Sequence, residues 1–128
     1  MKENDCVFCR IVRREAEASI ILDTGSVMVF PTIRPMSQGH CLIIPYEHYT
    51  RMHDIPDDTI HEIVSIIKKI AVSMNLESYT VLQNNGGYHV HFHLIPREDN
   101  EPNLDAPRTN PSRRELDSIA DNIRQKLR

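Results

Sequence analysis

The sequence predicts a single α+β domain: an antiparallel sheet of about five strands, with a main helix after the third strand and a second helix at the C-terminus. Three observations carry that prediction. Apolar residues recur at spacings of three and four over residues 60–74 and again over 116–127, the period of an amphipathic helix. Short β-branched and apolar runs, punctuated by Gly, Asn and Pro, fill residues 19–45 and 79–95 as strands and turns would. Helices that interrupt and follow such a meander, instead of alternating with every strand, point to antiparallel pairing. A chain of 128 residues, 40% of them apolar, suits one core and is too short for two ordinary domains.

In chain order, residues 8–17 set apolar Phe8 and Ile11 among Arg10, Arg13, Arg14 and Glu15, which predicts a brief helix. Residues 19–22 and 27–30 flank Asp23-Thr24-Gly25-Ser26 and form a first hairpin, with Gly25 in the turn. Two prolines and Gly39 make residues 31–39 a loop. Residues 40–45 follow as a third strand, apolar enough for burial on both faces. Pro56, Asp57 and Asp58 suit a helix N-terminus, and the main helix spans 56–74 with a buried stripe of Ile60, Ile63, Val64, Ile67, Ile70, Ala71 and Met74. His61 lies off that stripe, in solvent. A fourth strand over 79–83 meets Asn84-Asn85-Gly86-Gly87, a hairpin signal that makes it the antiparallel neighbour of a fifth strand over 89–95. Pro102, Pro107 and Pro111 mark residues 98–111 as a surface loop or arm, and Ser112 with Glu115 is a capping box that opens a C-terminal helix over 112–128.

The fifth strand carries the chemistry. It reads His89-Val90-His91-Phe92-His93-Leu94-Ile95, and alternation on a strand sends the three imidazoles to one face and Val90, Phe92 and Leu94 to the core. Imidazole near neutral pH serves as nucleophile, general base or metal ligand, and its N–H groups donate to phosphate oxygens. A row of three suggests a metal or a phosphoryl group. Alternate Cα atoms stand about 6.5–7 Å apart on a strand, which makes a shared ion the harder target for all three. Three cysteines, an odd count, argue for metal or thiol chemistry over a disulfide framework. Cys6-x-x-Cys9 has the spacing of half a zinc site and of a redox motif, and the histidines favour metal. Cys41 reads as a small buried hydrophobe.

Net charge of -3 and a pI near 6.1 give no basic field for nucleic acid. Arg113, Arg114, Arg124, Lys126 and Arg128 read as the wet face of the last helix. No run approaches a membrane span, and the polar start from Met1 to Asp5 leads into no apolar signal region. The expected compartment is the cytoplasm.

On these residues the chain resembles the histidine-triad (HIT) superfamily of nucleotide hydrolases and transferases, whose signature His-φ-His-φ-His-φ-φ, with φ apolar, is met at every position from His89 to Ile95. Cys6-Val7-Phe8-Cys9-Arg10-Ile11 is similar to the family's start, and Gly39-His40-Cys41-Leu42-Ile43-Ile44-Pro45 with His48 to its glycine-histidine strand. The resemblance runs over nearly the whole chain and implies one HIT-like domain over 1–128. It implies that His91 attacks the α-phosphorus of a nucleoside phosphoramidate, dinucleoside polyphosphate or related compound, giving a nucleotidyl-histidine that water resolves. The backbone carbonyl of His89 would hold the other ring nitrogen of His91, while His93 and His40 donate to phosphate oxygens. Asn84 would be a further polar contact, and Val7, Phe8, Ile11, Phe30 and Ile33 match positions that line the base pocket. A zinc-bearing branch implies Cys6, Cys9, His48 and His89 as a structural Cys2His2 site. Many relatives pair as homodimers through the main helix and a strand.

Two departures stand out. Thr32 occupies the place where the family usually has a ribose-gripping aspartate, and only Gly87 and Tyr88 separate Gly86 from His89, where some six further residues of a phosphate-contacting loop are missing. Strand alternation aims Tyr88 away from His89, which leaves Asn85 or the N–H groups of Gly86 and Gly87 as substitute donors. A nucleotide-binding or regulatory module with little turnover is the competing expectation.

Overall fold

The computed structural model describes residues 5–98 and 109–128, and among them the α+β architecture is as expected. Helix α1 (Val7–Val12) is followed by strands β1 (Leu22–Asp23), β2 (Val27–Pro31) and β3 (Cys41–Pro45), helix α2 (Asp57–Ser73), strands β4 (Ser78–Gln83) and β5 (Phe92–Arg97), and helix α3 (Arg113–Leu127). The strands form one antiparallel sheet in the order β1-β2-β3-β5-β4, so β3 is central, β5 is interior and β4 is an edge. Most of the arm expected over 98–111, with Pro102 and Pro107, lies outside the described residues.

Period-two alternation divides the sheet between two cores. Val27, Val29, Cys41, Ile43, Phe92 and Leu94 face α2 and α3 and pack with Ile63, Ile67, Ile70, Ala120 and Ile123. Met28, Phe30, Leu42 and Ile44 face the other way and pack with Ile11, with Phe8 and Val12 of α1 against them. Both faces of β2 and β3 are therefore buried. His93 pairs with Leu42 across the β3–β5 ladder, which puts its ring on the α1 side.

Several boundaries differ from the sequence expectation: the first strand, expected over 19–22, is Leu22–Asp23, and the start of the last strand differs for a reason visible in the hydrogen bonds. The last strand begins at Phe92, not His89, because the preceding segment bonds elsewhere. Gly86 N–H donates to Thr50 O (2.7 Å), Val90 N–H to Tyr49 O (2.7 Å) and Met52 N–H to Asn85 Oδ1 (2.7 Å). The link from Gln83 to its ladder partner Phe92 is therefore an eight-residue connection (84–91), not a tight hairpin, with Gly86 and Gly87 at φ of 104° and 82°. The first helix is shorter than the expected 8–17.

Helix α2 starts after Pro56 and stops where Asn75 turns left-handed (φ 56°) and Leu76 N–H caps Ala71 O. Its buried residues are Ile63, Ile66, Ile67, Ile70 and Ala71; Val64 lies outside this stripe, 46% exposed, rotated about 100° round the axis from Ile63. The Ser112–Glu115 capping box of α3 is present in both directions. Ile63→Ala should cost about 3 kcal/mol by emptying a fully buried site, whereas His61→Ala, two residues away and exposed, should stay within about 0.5 kcal/mol, as read by urea denaturation.

Candidate active site and adjoining metal cluster

Although the strand itself begins only at Phe92, the three triad rings share the α1 side of the sheet, while Val90, Phe92 and Leu94 enter the core under α2 and α3, as alternation predicts. His89 turns toward α1 and is 1% exposed. Its Nε2–H donates to Pro45 O at 2.8 Å, which leaves Nδ1 as a lone pair facing Cys6 Sγ (3.6 Å) and Cys9 Sγ (3.4 Å). His48 Nδ1 lies 3.3 Å from Cys9 Sγ. The four ligand atoms of Cys6, Cys9, His48 and His89 all lie within 4.8 Å of one another. Tetrahedral bonds of metal to sulfur and nitrogen imply S···N edges of about 3.6 Å, close to the three separations observed. The cluster could hold a metal ion. Burial pushes the His89 imidazole down to about 4, with His48 and His91 adding to the fall and the Pro45 bond opposing it, so the ring stays neutral as a ligand must be.

His91 is built differently. Its Nδ1–H donates to the backbone carbonyl of His89 at 2.9 Å, which assigns the proton to Nδ1 and the lone pair to Nε2. Phe8 packs on both rings, at 5.1 Å from His91 and edge-on at 5.8 Å from His89. The His93 ring lies 4.9 Å from that of His91, by centroids. A relay fixes its tautomer: Met36 N–H donates to His40 Nδ1 (3.0 Å), so His40 carries its proton on Nε2 and donates to His93 Nδ1 (2.9 Å). His93 then holds its own proton on Nε2.

A cleft of about 630 Å³ opens beside the pair, lined by Cys6, Val7, Phe8, Asn84, Gly86, Tyr88, His89 and His91. A second cleft of equal volume, between residues 35–38 and α3, contains none of these groups. Asn84 thus stands in the histidine cleft. Ile11 and Phe30 lie in the core behind Phe8, whose ring is 5.9 Å from Phe30. Ile33 is 62% exposed, and Thr32 is buried with its hydroxyl accepting from Arg34 N–H (3.2 Å). Gly86 N–H, expected as a donor to an anion, is spent on Thr50 O, and the Asn85 side chain is held through Oδ1, which accepts from Met52 N–H and Gln83 Nε2–H. Tyr88, aimed away by the strand argument, lines the cleft because residues 84–91 are not a strand.

The HIT domain family matches residues 13–100. The chain belongs to this family. It is 41% identical over 105 residues to adenosine 5'-monophosphoramidase HNT1 of Saccharomyces cerevisiae, covering 77% of this chain and 66% of that one. Against adenosine 5'-monophosphoramidase hnt1 of Schizosaccharomyces pombe it is 34% identical over 131 residues, covering 96% and 98%. Among solved structures, a Zn-bound histidine triad family protein from Mycobacterium smegmatis superposes with a TM-score of 0.79 at 27% identity, covering 98% of this chain and 95% of that one.

Cys41 is fully buried, and that burial pushes its thiol up to about 12. Only Cys6 and Cys9 should therefore act as thiolate ligands. Cobalt(II) added to metal-free protein should give a sulfur-to-metal charge-transfer band that saturates at one equivalent, is lost in Cys9→Ala and persists in Cys41→Ala.

Proposed function

We propose that this HIT-family chain is a hydrolase that cleaves nucleoside 5'-phosphoramidates through a nucleotidyl-histidine at His91, with phosphoanhydrides of dinucleoside polyphosphates as related substrates. The observation that carries this reading is the His91 Nδ1–H bond to His89 O, which leaves Nε2 as the lone pair that attacks phosphorus. An Nε2–P bond forms as the bond from phosphorus to the leaving nitrogen breaks, and the amine departs with the bonding pair and takes up a proton. Water then attacks the phosphorus and releases His91. His93 Nε2–H donates to the phosphoryl oxygens as charge builds there, and His40 acts through His93 by holding its tautomer. Asn84, which lines the same cleft, is the further polar contact for the phosphate or sugar. Phe8, backed by Ile11 and Phe30, forms the apolar wall for the base, with Thr32 and Ile33 at the end of β2 toward the ribose. The named activity of the yeast relatives supports the substrate class.

We infer further that the cluster holds zinc, for which two sulfurs and two imidazole nitrogens are a suitable donor set, and that a closed four-ligand shell makes the ion structural. There it would tie α1 to the residue that carries the His91 acceptor. The thiol state of these cysteines suits a cytoplasmic setting, and among the described residues no helix is long and apolar enough to cross a membrane. We read 1–128 as one domain.

His91→Ala should lower turnover of adenosine 5'-phosphoramidate at least about a thousandfold at unchanged thermal stability, as followed by release of AMP. Activity retained within tenfold would defeat the nucleophile assignment. A homodimer fits the edge strand β4, where Tyr79 and Val81 are exposed near Val72 of α2. Val81→Lys should then shift the sedimentation coefficient from dimer to monomer.

A further inference from the structure

Tyr88 is 65% exposed, and among the described residues no aromatic ring packs on it and its hydroxyl makes no hydrogen bond. An aromatic ring left in solvent on a loose loop would mean little. This one is on a tethered segment: Gly86 N–H and Val90 N–H, two residues to either side, are bonded at 2.7 Å to the carbonyls of Thr50 and Tyr49. Tyr88 on this tethered segment lines one cleft together with Phe8, 46% exposed Val7, His91 and Asn84. A group that sits there while His91 Nε2 meets phosphorus must be joined to that phosphorus by a few bonds. Two aromatic side chains lining one cleft suit a flat π system, and the Asn84 amide in the same lining suits a polar edge on it.

We propose that Tyr88 is a specificity-determining residue that stacks on a planar aromatic group of the substrate in this cleft. The inference rests on the reading of the site as a nucleotide hydrolase and adds what the cleft selects. Two parts of a substrate offer this chemistry, the nucleobase and an aromatic leaving group, and the same variants separate them.

The test compares the native chain, Tyr88→Phe and Tyr88→Ala. Dissociation constants are measured for AMP and ribose 5-phosphate, and kinetics for adenosine 5'-phosphoramidate and the corresponding anilide, whose leaving group is aromatic. Stacking of a base on an aromatic side chain predicts a loss of about tenfold on removing the ring. If the nucleobase occupies the cleft, Tyr88→Ala weakens AMP about tenfold and leaves ribose 5-phosphate unchanged. If the leaving group does, AMP is unchanged and KM for the anilide rises about tenfold relative to the phosphoramidate. In either case Tyr88→Phe keeps native values, since the ring and not the hydroxyl carries the contact. Changes below twofold in every arm overturn the proposal, as does a Tyr88→Phe variant as impaired as Tyr88→Ala. Binding of AMP that depends on Tyr88 in a chain without turnover would leave the subsite standing and remove the hydrolase reading. Turnover that needs His91 and ignores Tyr88 would do the reverse.

Discussion

One residue, His89, links everything that matters at this site. Its ring is buried between α1 and Pro45, its Nε2–H is fixed by a carbonyl, and its Nδ1 faces two cysteine sulfurs. Its own carbonyl, meanwhile, takes the proton of His91. A neutral, desolvated imidazole is stable here only in one tautomer, because the other would put an N–H against the cysteines and leave the Pro45 carbonyl without its donor. Side chain and backbone of a single residue thus serve the four-residue Cys and His cluster and the tautomer of His91 together. Phe8, in contact with both rings, closes the arrangement from the α1 side.

The sheet supplies the rigidity. β5 runs between β3 and β4, and its inward residues Phe92 and Leu94 are locked in the core under α2 and α3. His93 is held from outside that core by His40, itself 1% exposed and accepting from Met36 N–H. His91 and His93 are therefore set by different supports, one by a loop carbonyl and one by a buried relay. Each support fixes one proton, and the result is a bare Nε2 on His91 beside a protonated Nε2 on His93. That asymmetry is what a covalent phosphoryl transfer needs from two otherwise identical side chains.

Much of this was legible in the sequence. The helical period of α2 and α3, the Ser112 capping box and the alternation of apolar residues along β5 follow from local chemistry, and the structure has them. The spacing of Cys6 and Cys9 pointed to half a metal site, and family resemblance supplied His48 and His89 as the rest. Alternation held for the three imidazoles and failed at Tyr88, because it assumes a strand, and residues 84–91 bond instead to residues 49–52, which are distant in sequence and carry no pattern that advertises the contact. For the same reason Gly86 could not be recognised as spoken for. The His40–His93 relay needed three-dimensional proximity, with 53 residues between its members.

The account stands on the tautomers of His91 and His93, which decide whether a nucleophile and a donor face the substrate. Long-range proton–nitrogen NMR of the imidazole rings, on metal-loaded protein at a pH where they are neutral, reads those tautomers directly. The account predicts His91 protonated on Nδ1 with a bare Nε2, and His40 and His93 both protonated on Nε2. A His91 proton on Nε2, or rapid averaging between its two nitrogens, would contradict it.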